Sequence, residues 1–330
     1  MNNRNPFWDV AKGIAVLLVL FGHSIQSGSG ACYTQTNAFF DNPFYLFIYS
    51  FHMPLFMLIS GYLFASSLKK YTFKTIFAKR SQSLLIPILV FGSVWFLWVC
   101  RGKYTLLNYL DTLSHTLWFL QAVFISSVIT ALIWRLSPLQ FRWWIAILVS
   151  LSGLFFPDYG ELAGVKFLYP CFLVGIGLAR FWESGFWVKY KLGFFIFFSV
   201  AFLILLLSFN KDFLFYRTGV YLFSGIQEWN HLLYIDVYRD LIGVFGCLAV
   251  LSGLRLIPED IIQKCRITQV MGKESKGLYC FQTYLFAIYA SISGTWAKPG
   301  ILFWLLGIAS VGITSYCLTI IAKRVPFLKI

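Results

Sequence analysis

The sequence predicts an all-α polytopic membrane protein of about ten transmembrane helices with both termini cytoplasmic. Three observations carry that expectation. The 330 residues are 59% hydrophobic and only 12% charged, about half the charged share of a soluble globular chain. Apolar runs long enough to cross a bilayer recur from one end to the other; a helix satisfies its own backbone in lipid, so each run reads as a span. Lysine and arginine are distributed unevenly between the connecting segments, which orients the spans. The even spread of apolar runs points to one integral domain over 1–330. The first run lacks an Ala-x-Ala-like site and reads as the first span, not a cleavable leader.

The ten candidate spans are 9–27, 44–68, 82–100, 115–135, 143–157, 165–182, 192–209, 236–254, 277–297 and 300–322. The fifth is short. Pro54 and Pro87 sit inside spans, where a neighbouring helix can take up the carbonyl that each leaves unpaired. The glycines of FLVGIGLAR (172–180) suit close helix approach. If the N-terminus is inside, only Arg101, Lys103, Lys166, Lys211, Arg217, Arg239 and Lys298 of the chain's 27 basic residues lie on outer segments. That asymmetry follows the positive-inside rule and favours an even number of spans. The longest connection, 210–235, is an outer one. It holds many aromatics beside Arg217, Glu228 and His231, which suits either sugar rings or an interfacial aromatic belt.

Net charge is +14. In a soluble chain this would suggest nucleic acid; here it fixes topology, and some of it is available to hold an anionic cofactor. The cysteines are scattered without a CxxC pair, and no His, Asp or Glu cluster has metal-ligand spacing, so no metal is expected. Cys32 and Cys100 are the two that could meet on the outer side.

The first span, DVAKGIAVLLVLFGHS (9–24), carries Asp9, Lys12 and His23 within an apolar run. Ionisable groups there are costly and face a protein interior or a wet cavity. Lys12 and His23 are eleven positions apart, about three helical turns, so both lie on nearly one face, separated by ~16 Å along the axis. By the charge count Lys12 lies toward the inner surface and His23 toward the outer one. Asp9, three residues before Lys12, is placed to pair with it. His52, opening FHMPLFMLISGYLF (51–64), falls at a similar depth to His23. A histidine titrating near neutrality is the commonest general base; a hydrogen-bonded packing role is the competing reading, and for His52 the two stand level. The inner loop SSLKKYTFKTIFAKRSQSLLIP (66–87) has five cations, Lys74, Lys79 and Arg80 among them, and no carboxylate. It suits the phosphates of coenzyme A or, residue by residue, anionic lipid.

These segments resemble the acyltransferase family 3 of membrane acyltransferases, closest to its fucose-4-O-acetylase-like branch. DVAKGIAVLLVLFGHS is similar to the opening helix, in which a basic residue precedes a histidine. FHMPLFMLISGYLF and the basic AKRSQSLLIP that follows it are similar to the second-helix motif. LWFLQAVF (117–124) is similar to the tryptophan motif, and MGKESKGLYCFQTYLF (271–286) to a late motif. Gln282 stands where many members have histidine, and Lys12 where many have arginine.

The resemblance implies a ten-helix fold and transfer of an acyl group, usually acetyl, from cytoplasmic acyl-coenzyme A to a glycan hydroxyl at the outer side. On that basis His23, Lys12 and His52 are the expected catalytic residues. Lys79, Arg80 and Lys74 are expected at the donor phosphates, and Trp118, Glu228 and Arg217 on the acceptor side. The acceptor would be a cell-surface polysaccharide or its lipid-linked precursor, and the location the bacterial cytoplasmic (inner) membrane. A transporter or polysaccharide exporter with the same helical wall is the rival expectation, because intramembrane charges mark transport paths too.

Overall fold

The computed structural model describes residues 5–28, 37–99, 105–153, 162–214, 229–293, 300–325 and 328. All regular structure among them is helical. The N-terminal half holds α1 (Pro6–Gly28), α2 (Pro43–Tyr49), α3 (His52–Lys70), α4 (Phe73–Arg80), α5 (Ile86–Val99), α6 (Leu106–His115), α7 (Trp118–Leu136) and α8 (Arg142–Gly153). The C-terminal half holds α9 (Leu162–Phe181), α10 (Gly185–Lys189), α11 (Lys191–Ser208), α12 (Trp229–Leu256), α13 (Glu259–Lys264), α14 (Arg266–Lys273), α15 (Ser275–Ser293) and α16 (Ile301–Ala322).

Eight stretches among the described residues are long and apolar enough to cross a membrane: Pro6–Gly28, Pro43–Lys70, Phe73–Trp98, Trp118–Leu136, Gly164–Phe181, Lys191–Ser208, His231–Leu256 and Ile301–Ala322. Each coincides with an expected span. The described parts of the other two expected spans, 143–153 and 277–293, are also helical, within α8 and α15. The protein is an all-α polytopic membrane protein.

Burial separates centre from periphery. In α1, 67% of the apolar segment is buried inside the protein, against 11% for Lys191–Ser208 and 22% for Ile301–Ala322. The outer two show lipid an apolar surface, whereas α1 is enclosed by protein, principally by α3, α14, α15 and α16. Small residues make that enclosure possible. A Cβ on Gly272 of α14 would fall 1.7 Å from the Asp9 carbonyl oxygen, so only glycine lets α14 lie against α1 there. Gly175, from the glycine run read for close approach, sets α9 against the Leu58 carbonyl of α3 in the same way.

Two prolines explain two irregularities. A proline cannot donate to the carbonyl four residues earlier. Pro54 therefore leaves the Ser50 carbonyl without its usual helical donor, and the helix breaks at Ser50–Phe51, dividing α2 from α3. Pro87 does the same to the Ser83 carbonyl. Residues Ser81–Leu85 widen into a π-helical turn, and Lys276 Nζ of α15 donates to the Ser83 oxygen at 3.3 Å. This is the re-satisfaction by a neighbouring helix that the sequence suggested.

Candidate active site

The enclosed helix α1 runs without interruption from Pro6 to Gly28, so the spacing of Lys12 and His23 is realised on one helix. At its inner end by sequence, Lys12 Nζ meets Asp9 Oδ1 at 3.1 Å, and the Asp9 side chain is 2% exposed. The pairing expected from the i, i+3 spacing is present.

Around His23 the structure assembles groups that the sequence did not single out. His23 Nδ1 lies 2.7 Å from Gln26 Oε1, and Gln26 Nε2 donates to the Tyr45 hydroxyl at 3.0 Å. An amide oxygen only accepts, so Nδ1 carries the imidazole proton and Nε2 the lone pair. Tyr45 stacks on Tyr49 with centroids 3.8 Å apart. Tyr49 in turn lies 4.5 Å from the His52 ring, centroid to centroid. Gly22, next to His23, leaves room for that tyrosine: a Cβ there would come within 2.7 Å of Tyr49 Cε2.

His52 is brought to this place by the break that Pro54 causes. Its Nδ1 donates at 2.8 Å to the Ile48 carbonyl, the oxygen that the backbone N–H of residue 52 would take in an unbroken helix. A carbonyl only accepts, so His52 also carries its proton on Nδ1 and its lone pair on Nε2. His23, Gln26, Tyr45, Tyr49 and His52 thus form a continuous chain, with Gln26, Tyr45 and His52 buried and His23 and Tyr49 half-buried, in which both histidines are held in one tautomer. A base whose far nitrogen is fixed by a hydrogen bond is oriented for proton transfer.

The candidate donor residues divide. Lys74 and Lys79 are exposed on α4, while Arg80 is half-buried with its guanidinium carbon 4.8 Å from the Phe64 ring of α3. Lys79 Nζ sits 3.7 Å from the Tyr71 ring centroid. With Lys70 it holds the Tyr71 phenol below its ordinary range. Adjacent helical positions point about 100° apart, so Lys79 and Arg80 could not share a face. Arg80 alone of the three turns inward, immediately before the π-helical turn, a feature that often marks functional sites.

Trp118 opens α7 after Leu117, which has φ 50°. A leucine in the left-handed region costs on the order of 1–3 kcal/mol and persists only where surroundings impose it. Gln121 supplies part of that: its Nε2 donates to the Leu113, Ser114 and Thr116 carbonyls at 2.8–3.1 Å. The Trp118 ring packs on Gly164 of α9, and the Phe119 N–H donates to the Tyr279 hydroxyl of α15 at 3.3 Å. Arg217 and Glu228, expected on the acceptor side, lie outside the described residues, as do Cys32 and Cys100.

Two charges read from sequence as outer topology signals have a further role. Lys166 of α9 and Arg239 of α12 are both buried around Asp236, at 3.9 Å and 3.0 Å. Arg239 also donates to the Phe213 and Leu214 carbonyls at 2.7 Å and 3.3 Å. The i, i+3 spacing of Asp236 and Arg239 was the available signal. Among the described residues no group of three or more His, Cys, Asp or Glu is placed to hold a metal ion.

A helical membrane protein with an ion pair and two oriented histidines on buried elements defines a class of intramembrane site. Residues 5–322 match the family model described as an acyltransferase domain, and the chain belongs to that family, acyltransferase family 3. It is 31% identical over 223 residues to the nodulation protein NolL of Mesorhizobium japonicum, covering 64% of this chain and 58% of the relative. It is 32% identical over 189 residues to the nodulation protein NolL of Sinorhizobium fredii, covering 54% and 50%. The chain spans about half the length of the curated relatives it matches. No solved structure matches it.

Proposed function

We propose that the protein is a membrane O-acetyltransferase. In this reading it takes acetyl from cytoplasmic acetyl-coenzyme A and places it on a hydroxyl of a cell-surface glycan or its lipid-linked precursor. It would do so in the bacterial cytoplasmic membrane, with both termini inside. Family membership supports the acyl transfer. The observation that carries the reading is the chain from His23 to His52, which holds His23 with its lone pair on Nε2.

His23 Nε2 takes the proton of the acceptor hydroxyl as its oxygen attacks the acyl carbon. The oxygen–carbon bond forms and the carbon–sulfur bond breaks. The thiolate then takes that proton back from His23 and leaves as coenzyme A thiol, which returns the imidazole to its starting state. Lys12, held by Asp9, offsets negative charge on the donor's path. Arg80 meets the donor phosphates from the inner side, with Lys74 and Lys79 adding a diffuse field. His52 and Trp118, with Arg217 and Glu228, shape the acceptor side.

Coenzyme A thiol release tests the activity, in vesicles given acetyl-coenzyme A and nitrophenyl hexosides or deoxyhexosides. Acceptor-dependent release with an acetylated glycoside is expected. Movement of the glycoside across the membrane without thiol release would assign the protein to transport.

The division between Arg80 and Lys79 predicts unequal contributions to donor binding. Arg80→Ala should weaken acetyl-coenzyme A at least tenfold, since a charge-assisted contact contributes about 1.5–3 kcal/mol. Lys79→Ala should change it less than about threefold, as expected for an exposed charge. Isothermal titration in detergent measures both; a loss at Arg80 as small as that expected at Lys79 would return Arg80 to the topology role.

A further inference from the structure

Gln282 is 0% exposed, and neither its Nε2 nor its Oε1 has a hydrogen-bond partner. Among the described residues no other buried side chain leaves two polar atoms unpartnered. In a membrane interior such a group is costly, and native proteins keep few of them without a reason.

Its position suggests the reason. Tyr279, Gln282 and Phe286 follow one face of α15 at i, i+3 and i+7. Tyr279 at one end accepts from the Phe119 N–H beside Trp118. Phe286 at the other end lies against His23, with ring centroids 6.1 Å apart. α15 begins just after Gly272, which abuts Asp9, and climbs along α1 to the level of His23. Gln282 therefore falls between the levels of Lys12 and His23, one turn to the inner side of Phe286. That is the side from which an acyl donor approaches.

We infer that Gln282 is a catalytic residue whose amide takes the thioester of the acyl donor. Its Nε2 donates to the acyl carbonyl oxygen and aims the acyl carbon at the His23 level. Its Oε1 accepts an N–H of the pantetheine arm. This inference rests on the acetyltransferase reading above. A fixed, uncharged amide suits this role on two counts. It costs less than a charge to keep dry before substrate arrives, and it is preorganised for the negative charge that grows on the carbonyl oxygen.

The test compares wild type with Gln282→Met, which keeps the volume and removes both polar atoms. Isotope-edited infrared spectroscopy of [1-13C]acetyl-coenzyme A bound to the purified protein reads the contact directly. The bound carbonyl should absorb at lower frequency in wild type than in Gln282→Met. Transfer by the variant should fall about 10²–10³-fold, the usual cost of an oxyanion donor, with the acceptor KM unchanged. Its melting temperature should be equal to or above that of wild type, since an apolar group of similar shape relieves an unpaired polar one.

Equal carbonyl frequencies in two proteins that both bind the donor would overturn the inference and leave the acetyltransferase reading standing. A variant that melts several degrees lower would overturn it too, as a structural role. Wild-type protein that fails to bind acetyl-coenzyme A would overturn the acetyltransferase reading, and the inference with it.

Discussion

His23→Ala abolishes acetyl transfer while the protein still folds: that is the expected result with the largest effect on activity. General-base catalysis contributes about 10²–10⁴-fold, and His23 has the only imidazole on α1. His23→Gln is the sharper variant. It preserves a polar side chain able to meet Gln26 and Tyr45, so the packing of α1 against α2 survives, but it moves no proton near neutral pH. Both variants should therefore be inactive, at expression and detergent stability near wild type. A histidine that only packs would behave differently: Gln would keep substantial activity, and the Ala defect would track protein loss. Transfer by well-expressed His23→Gln at more than about a tenth of the wild-type rate would remove the base from the mechanism.

Why His23 was legible while its surroundings were not has a physical answer. A charge or imidazole inside an apolar run stands out against its background, and the eleven-residue interval fixes the shared face by helix geometry alone. The spans were legible for the same reason, because lipid demands length and apolarity of each one. Gln26, Tyr45 and Tyr49 are unremarkable in sequence. They become a site only when α2 folds back on α1, and that depends on the break at Ser50–Phe51. Pro54 encodes the break, yet its consequence runs through His52, whose imidazole takes the Ile48 carbonyl that its own backbone N–H would take in an unbroken helix.

The basic residues show the reverse case. Charge counting orients a membrane protein because it averages over segments, and for that reason it is blind to what a single charge touches. Lys166 and Arg239 counted as outer signals and are buried around Asp236. Lys79 and Arg80 counted alike and face different ways. The amide of Gln282 carries no charge at all, so only its unpartnered state in the packed structure distinguishes it.

The second large effect concerns the inner end of α1, where stability and activity should separate. Asp9 is 2% exposed and Lys12 18%, and Gly272 presses α14 onto the Asp9 backbone, so the carboxylate has little freedom to move to water. Removing one partner of a buried pair weakens what holds the other; the usual cost is up to about 3–5 kcal/mol, and the residual exposure of Lys12 puts the expectation at about 3 kcal/mol or less. Lys12→Met should therefore melt well below wild type and transfer no acetyl. The double variant Asp9→Asn, Lys12→Met removes both charges while keeping similar volumes, and replacement of a buried pair by neutral groups is often close to neutral. Its melting temperature should recover most of the loss. If Lys12 acts on the donor, activity should stay absent in the rescued protein, because the cation on the donor's path is still missing. Thermal unfolding in detergent, run beside the thiol-release assay on the same three proteins, separates the outcomes. Recovery of both stability and transfer in the double variant would make Lys12 a structural partner of Asp9 and leave the chemistry to the histidine end of the helix.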